Sequence, residues 1–69
     1  MAYLNYRIVS YDKKKNEVLT HDTYTLKEAR VLYKKLLEEN GVALIERQYW
    51  QGSMLKGATR VQIQGKFPK

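Results

Sequence analysis

The sequence predicts an α+β fold, ββαββ, in which one amphipathic helix covers one face of a four-stranded, mostly antiparallel sheet. Three observations carry that expectation. Thr25 to Gly41, TLKEARVLYKKLLEENG, has helical periodicity together with a start and a stop signal. The stretches before and after it are rich in β-branched and aromatic residues, as strands are. Those stretches also come in pairs, two on each side of the helix, each pair joined by a turn-like segment.

Tyr3 to Tyr11, YLNYRIVSY, contains neither glycine nor proline and reads as the first strand. Leu4, Tyr6 and Ile8 fall on one face, and Tyr3, Asn5, Arg7, Val9 and Tyr11 on the other. Apolar groups on both faces predict a central strand or one whose second face is partly covered. Asp12 to Asn16, DKKKN, has the composition of a hairpin loop, and its lysines are the densest positive cluster in the chain. Glu17 to Tyr24, EVLTHDTY, returns as the second strand. Val18 and Leu19 face opposite ways, which leaves its register open, while His21 and Asp22 favour an edge position.

The helix follows at once, with Tyr24 placed to close over its first turn. Thr25 and Glu28 make a T-x-x-E capping box, in which each side chain satisfies a free backbone N–H of the other. With Leu26 at the origin and a step of about 100° per residue, Ala29, Leu32, Tyr33, Leu36 and Leu37 share one arc. Val31 lies opposite that arc. Asn40-Gly41 supplies the stop, because glycine enters the left-handed conformation of a helix C-terminus without a Cβ penalty.

Val42 to Trp50, VALIERQYW, favours the third strand. Gln51 to Gly57, QGSMLKG, reads as a loop with glycine near both ends, which puts the apolar pair Met54 and Leu55 in an exposed place. Ala58 to Phe67, ATRVQIQGKF, alternates most cleanly: Val61 and Ile63 point one way, and Arg60, Gln62, Gln64 and Lys66 the other. Gly65 marks a bulge or the end of the ladder, and Pro68 stops it.

The 69 residues suit one domain, 1–69, of the size that sits near marginal stability. Small domains often add disulfides, metals or self-association. Cysteine is absent and His21 is the single histidine, which excludes disulfides and thiolate or histidine-cluster metal sites. Self-association, as a homo-oligomer, is the remaining staple. No apolar run approaches the roughly 18–20 residues of a membrane span. No charged segment followed by an apolar stretch opens the chain, so a cytoplasmic location with no membrane partner is expected. Thirteen Lys and Arg against seven Asp and Glu give a formal charge of +6, a field that attracts phosphate-rich or acidic partners and also aids solubility.

Catalytic motifs are absent: there is no G-x-S-x-G, P-loop, dinucleotide fingerprint or H-E-x-x-H. His21 and Asp22 point to opposite sides of a strand and do not form a couple. Glu38 and Glu39, four residues after Lys34 and Lys35, read as solvated helix pairs. The expectation is a non-enzyme without a cofactor.

Three surfaces are candidates for binding. Lys27, Arg30 and Lys34 share a narrow sector beside the apolar arc, which suits either a row of phosphate contacts or a solvated flank covering the core edge. On the open sheet face, Arg60, Gln62, Gln64 and Lys66 would join Arg47 and Tyr49, and Arg7 and Tyr11, if register allows. Basic groups and aromatic rings would then alternate as in sheets that bind single-stranded nucleic acid; tyrosine also favours strands for structural reasons. Tyr49 and Trp50, with Met54 and Leu55, are either a satellite core or an anchor for another protein. With Val31 they favour an oligomer or a protein partner.

The run YRIVSYDKKKNEVL followed by TLKEARVLYKKLLEE resembles, over about two-thirds of the chain, the short accessory proteins of bacteriophages and mobile elements of Gram-positive bacteria. The resemblance implies a protein that acts by binding, and it carries over no functional residue. The expected function is therefore a small basic binding module for nucleic acid, a nucleotide or another phosphate-bearing ligand. Its contacts would come from Lys13, Lys14, Lys15, Lys27, Arg30, Lys34, Arg47 and Arg60. The alternative is a protein-interaction module, such as a phage-type inhibitor of a host protein, using Tyr49, Trp50, Met54 and Leu55.

Overall fold

Two hairpins flank one helix in the order ββαββ, as the alternation of segments predicts. The computed structural model describes residues 2–68. Its elements are β1 (Ala2–Asp12), β2 (Glu17–Thr23), α1 (Leu26–Asn40), β3 (Ala43–Gln51) and β4 (Met54–Gln64). The sheet runs β2-β1-β3-β4 and every neighbouring pair is antiparallel. β1 and β3 are central, as the apolar groups on both faces of β1 predict, and β2 is an edge.

The core lies between α1 and one sheet face. Ile8 and Ile45 are directly opposite each other in β1 and β3, and both are fully buried. Ala29, Tyr33 and Leu36 close over them, one turn of helix apart, as the apolar arc requires. Leu19 joins this cluster while Val18 stays exposed, which settles the register of β2.

Both ends of α1 are held by the residues that signalled them. Thr25, extended at φ −126° and ψ 149°, accepts from the Glu28 backbone N–H at 3.2 Å. The Glu28 carboxylate accepts from the Thr25 hydroxyl at 3.1 Å, so the second half of the capping box closes on the side chain. At the other end Gly41, at φ +77°, donates its N–H to the Leu37 carbonyl at 2.7 Å. Asn40 also latches the helix to the sheet: its amide donates to Ser10 Oγ at 2.9 Å, and Ser10 donates to the Val42 carbonyl at 2.7 Å. Ser10 is fully buried, and these bonds offset the cost of burying its hydroxyl. β4 ends against the same corner. A Cβ on Gly65 would clash with the Gly41 carbonyl oxygen, so this glycine is set by close backbone approach.

Two expectations about the C-terminal half are corrected. Met54 and Leu55 are not in a loop: Gly52 and Ser53 alone make the turn, with Gly52 at φ +61°, as a two-residue hairpin with glycine first favours. The alternation of β4 is also broken. Glu46 pairs with Arg60 and Ile45 with Gln62, which leaves Val61 as an extra, bulged residue. Beyond the bulge the faces exchange, so Gln62 and Gln64 share the helix side with Ile45 and Ala43, and Ile63 faces outward beside Leu44.

A 15-residue helix is about 22 Å long, whereas the longest dimension of the molecule is 39 Å. α1 packs on β1, β3 and, to a lesser degree, β2. Its flank toward β4 and the free end of the β3–β4 hairpin are left uncovered.

Candidate phosphate-binding site

The predicted cations do not form one surface. Lys13, Lys14 and Lys15 sit in the β1–β2 turn, where the Asp12 carboxylate accepts from the backbone N–H groups of Lys14 and Lys15 at 3.0 and 3.3 Å. Lys27, Arg30 and Lys34 lie along one flank of α1, together with Leu26 and Val31, around a shallow groove of about 330 Å³. Arg47 is on the helix side of the sheet, across from Tyr6 and Thr59. Arg60 is on the opposite, open side, across from Glu46. Alternation separates Arg47 and Tyr49 from Arg7 and Tyr11, so the expected basic and aromatic platform does not assemble.

The open face is instead self-contained. Register lines up Asp22, Arg7, Glu46 and Arg60 across the four strands, a row of alternating charge. Arg7 meets Asp22 in a two-pronged contact, Nε at 2.9 Å and Nη2 at 3.2 Å. That hydrogen bonding holds the Asp22 pKa below the usual carboxylate value, against an opposing effect of burial, and raises that of Arg7. Beside this row, Gln48 Oε1 accepts from Asn5 at 3.2 Å and from Trp50 Nε1 at 3.1 Å, while Gln48 Nε2 donates to Glu46 at 2.9 Å. Trp50 stacks on Tyr3, with ring centroids 6.3 Å apart and planes 8° from parallel. Tyr24 does not close over the helix; it is 79% exposed and lines a groove on this side with Tyr3, Asp22 and Trp50.

The flank of α1 differs. Among the described residues the ion pair within 4 Å is Arg7–Asp22, so neither Lys34 nor Lys35 is paired with the glutamates that follow. Between α1 and β4 lies a cleft of about 350 Å³ lined by Arg30, Tyr33, Lys34 and Gln62. Tyr33 is 3% exposed, and its hydroxyl is wholly buried without a hydrogen-bond partner among the described residues. Arg47 lies on the same sheet face, two residues along β3 from Ile45, the partner of Gln62. Its guanidinium carbon is 5.7 Å from the centre of the Tyr6 ring, and the Tyr49 and Tyr6 hydroxyls beside it raise its pKa further. No group of three or more His, Cys, Asp or Glu among the described residues is arranged to hold a metal ion. Among the described residues no helix is long and apolar enough to cross a membrane.

No family model, curated protein or solved structure matches this chain.

The residues expected at a protein interface are divided. Trp50 and Leu55 face each other on the open side, whereas Tyr49 and Met54 belong by alternation to the helix side, beyond the end of α1. Tyr49, Met54 and Leu55 are exposed, and Trp50 is half-buried. Tyr33 and Gln62, which line the cleft between α1 and β4, are not among the residues that the sequence singles out for phosphate binding. The apolar arc places the Tyr33 ring in the core, and strict alternation places Gln62 on the other face, which the bulge reverses.

Proposed function

We propose that this chain is a non-enzymatic binding module for nucleic acid or another phosphate-bearing ligand, held along the flank of α1 that faces β4. One observation carries the reading: Lys27, Arg30 and Lys34 stand together with no carboxylate of the described residues in ion-pair reach, whereas Arg7 and Arg60 alternate with acids. Unpaired cations in a row attract a polyanion and release its counterions on contact, while compensated ones add little net field. Lys13, Lys14 and Lys15, at the β1–β2 turn, extend the positive field.

The test is a fluorescence anisotropy titration with labelled single- and double-stranded oligonucleotides at low and physiological salt. Affinity should fall with salt, with a log–log slope of about −3 on duplex if three phosphates are contacted. The double substitution Arg30→Glu, Lys34→Glu should weaken binding at least about tenfold, and Arg60→Glu less than about threefold. Absence of binding at low salt, or equal losses in both variants, would overturn the reading.

A second reading has its own support in the exposed Tyr49, Met54 and Leu55 at the free end of the β3–β4 hairpin. A protein partner held there would stay bound at high salt and be lost on Leu55→Ala or Trp50→Ala.

A further inference from the structure

We propose that the cleft between α1 and β4 is a discrete subsite for a single phosphate group, in which the Tyr33 hydroxyl is the buried donor and Arg30 and Lys34 supply the charge. The inference rests on the phosphate-binding reading above and adds to it the atom that receives the phosphate.

A hydroxyl taken out of water without a partner is unfavourable, and native interiors rarely leave one so. The ring of Tyr33 packs in the core beside Ala29 and Leu36, and a phenylalanine would fill that space equally well. The hydroxyl therefore has no packing role. The groups around the cleft define what it can meet. Arg30 and Lys34, three residues before Tyr33 and one after it on α1, are donors only. Gln62 faces them from β4, brought to this side by the bulge at Val61, and its amide adds a further donor. No carboxylate among the described residues lines the cleft. Donors on Arg30, Lys34 and Gln62 outnumber the one lining acceptor besides the tyrosine oxygen, the Gln62 amide oxygen. With two positive charges they repel metal ions and match an acceptor with several oxygens and negative charge, which is a phosphate. Arg47, farther along the same sheet face, strengthens the positive potential there. Arg30, Lys34 and Gln62 are exposed, so their side chains are free to change rotamer at the mouth of the cleft, and the proposal requires that this uncovers the hydroxyl.

The experiment titrates the full chain with inorganic phosphate, against chloride at equal ionic strength. NMR follows the Arg30 guanidinium and the Gln62 side-chain amide, and thermal melting is recorded alongside. Phosphate should give saturable shifts at both groups in the wild-type chain. Tyr33→Phe should weaken that binding by about tenfold, the lower end of the effect of one hydrogen bond to a charged group. Without phosphate, the same variant should melt no lower than wild type, because an unpartnered polar atom has been removed. A lower melting temperature, or unchanged phosphate shifts, would overturn the subsite.

Parallel titrations separate the two sources of the phosphate. An oligonucleotide with a terminal phosphate that outcompetes its hydroxyl-ended counterpart, with the preference lost in Tyr33→Phe, identifies a terminal monoester. Equal affinities that both fall in Tyr33→Phe identify an internal diester. If oligonucleotides bind, require Arg30 and Lys34, and ignore Tyr33→Phe, the subsite fails and the broader reading stands. If neither phosphate nor oligonucleotide binds, both fail.

Discussion

On the helix side of the sheet, Ile8, Ala43 and Ile45 are sealed by the apolar arc of α1; on the other side, Asn5 and Gln48 are 8% and 2% exposed with no layer above them. The first face excludes water with hydrocarbon. The second does so with mutual hydrogen bonds, a stacked Tyr3–Trp50 pair and a row of alternating charge. The difference teaches where free charge can reside. A face that is held together by its polar groups has used them: Arg7 is bound to Asp22, and Arg60 lies across from Glu46. The cations of α1 only border an apolar core, and among the described residues no ion pair compensates their charge. Counting basic residues cannot separate these cases; strand register can.

The contrast is tested most severely by removing hydrocarbon. Ile45→Ala should destabilise the fold by about 3 kcal/mol, whereas Leu44→Ala, its neighbour on the open side, should cost about 1 kcal/mol. Denaturant midpoints of the two variants measure the gap, and equal losses would show that the faces contribute alike. Next in size is Gln48→Ala, which removes one donor and one doubly used acceptor from the open-face network. We expect a loss of about 1–2 kcal/mol and a red shift in Trp50 emission as the indole N–H turns to water. An unchanged spectrum would mean that the network does not hold the ring.

The smallest effect concerns acid. The folded Asp22 has a lowered pKa, chiefly through its hydrogen bond to Arg7, so its contribution is complete above the ordinary carboxylate range. It is lost as pH falls through the folded value, in a window below about pH 4. The two side chains are 38% and 48% exposed, and solvent screening keeps the contribution under about 1 kcal/mol. Melting temperatures of wild type and Asp22→Asn should therefore converge in strong acid and differ slightly near neutrality.

The parts of the fold that were legible in the sequence are those encoded locally. Thr25, Glu28 and Gly41 act on residues within one helical turn, and the apolar groups on both sides of β1 follow from its central place. What was not legible depends on partners far along the chain. The bulge at Val61 exists only relative to β3, so Gln62 could not be placed from the alternation of its own strand. Gly57 resembles a loop boundary, yet it lies inside β4 opposite Tyr49, and a Cβ there would stand 4.0 Å from the tyrosine ring. The cations of the candidate site were identifiable as residues, but their division between paired and unpaired sets was not. The solitary hydroxyl of Tyr33 had no signal in the sequence.

The irregular register of β4 has a consequence for the behaviour of the chain at high concentration. Lys56 and Val61 are each an extra residue with no counterpart in β3. Each bulge bends the strand and steepens its twist, so the outer edge from Met54 to Gln64 offers an incoming strand no flat, evenly spaced ladder. A small sheet with a long open margin is otherwise prone to grow edge to edge into aggregates. The displacement that brings Gln62 under α1 thus also blunts the margin along which fibres would start.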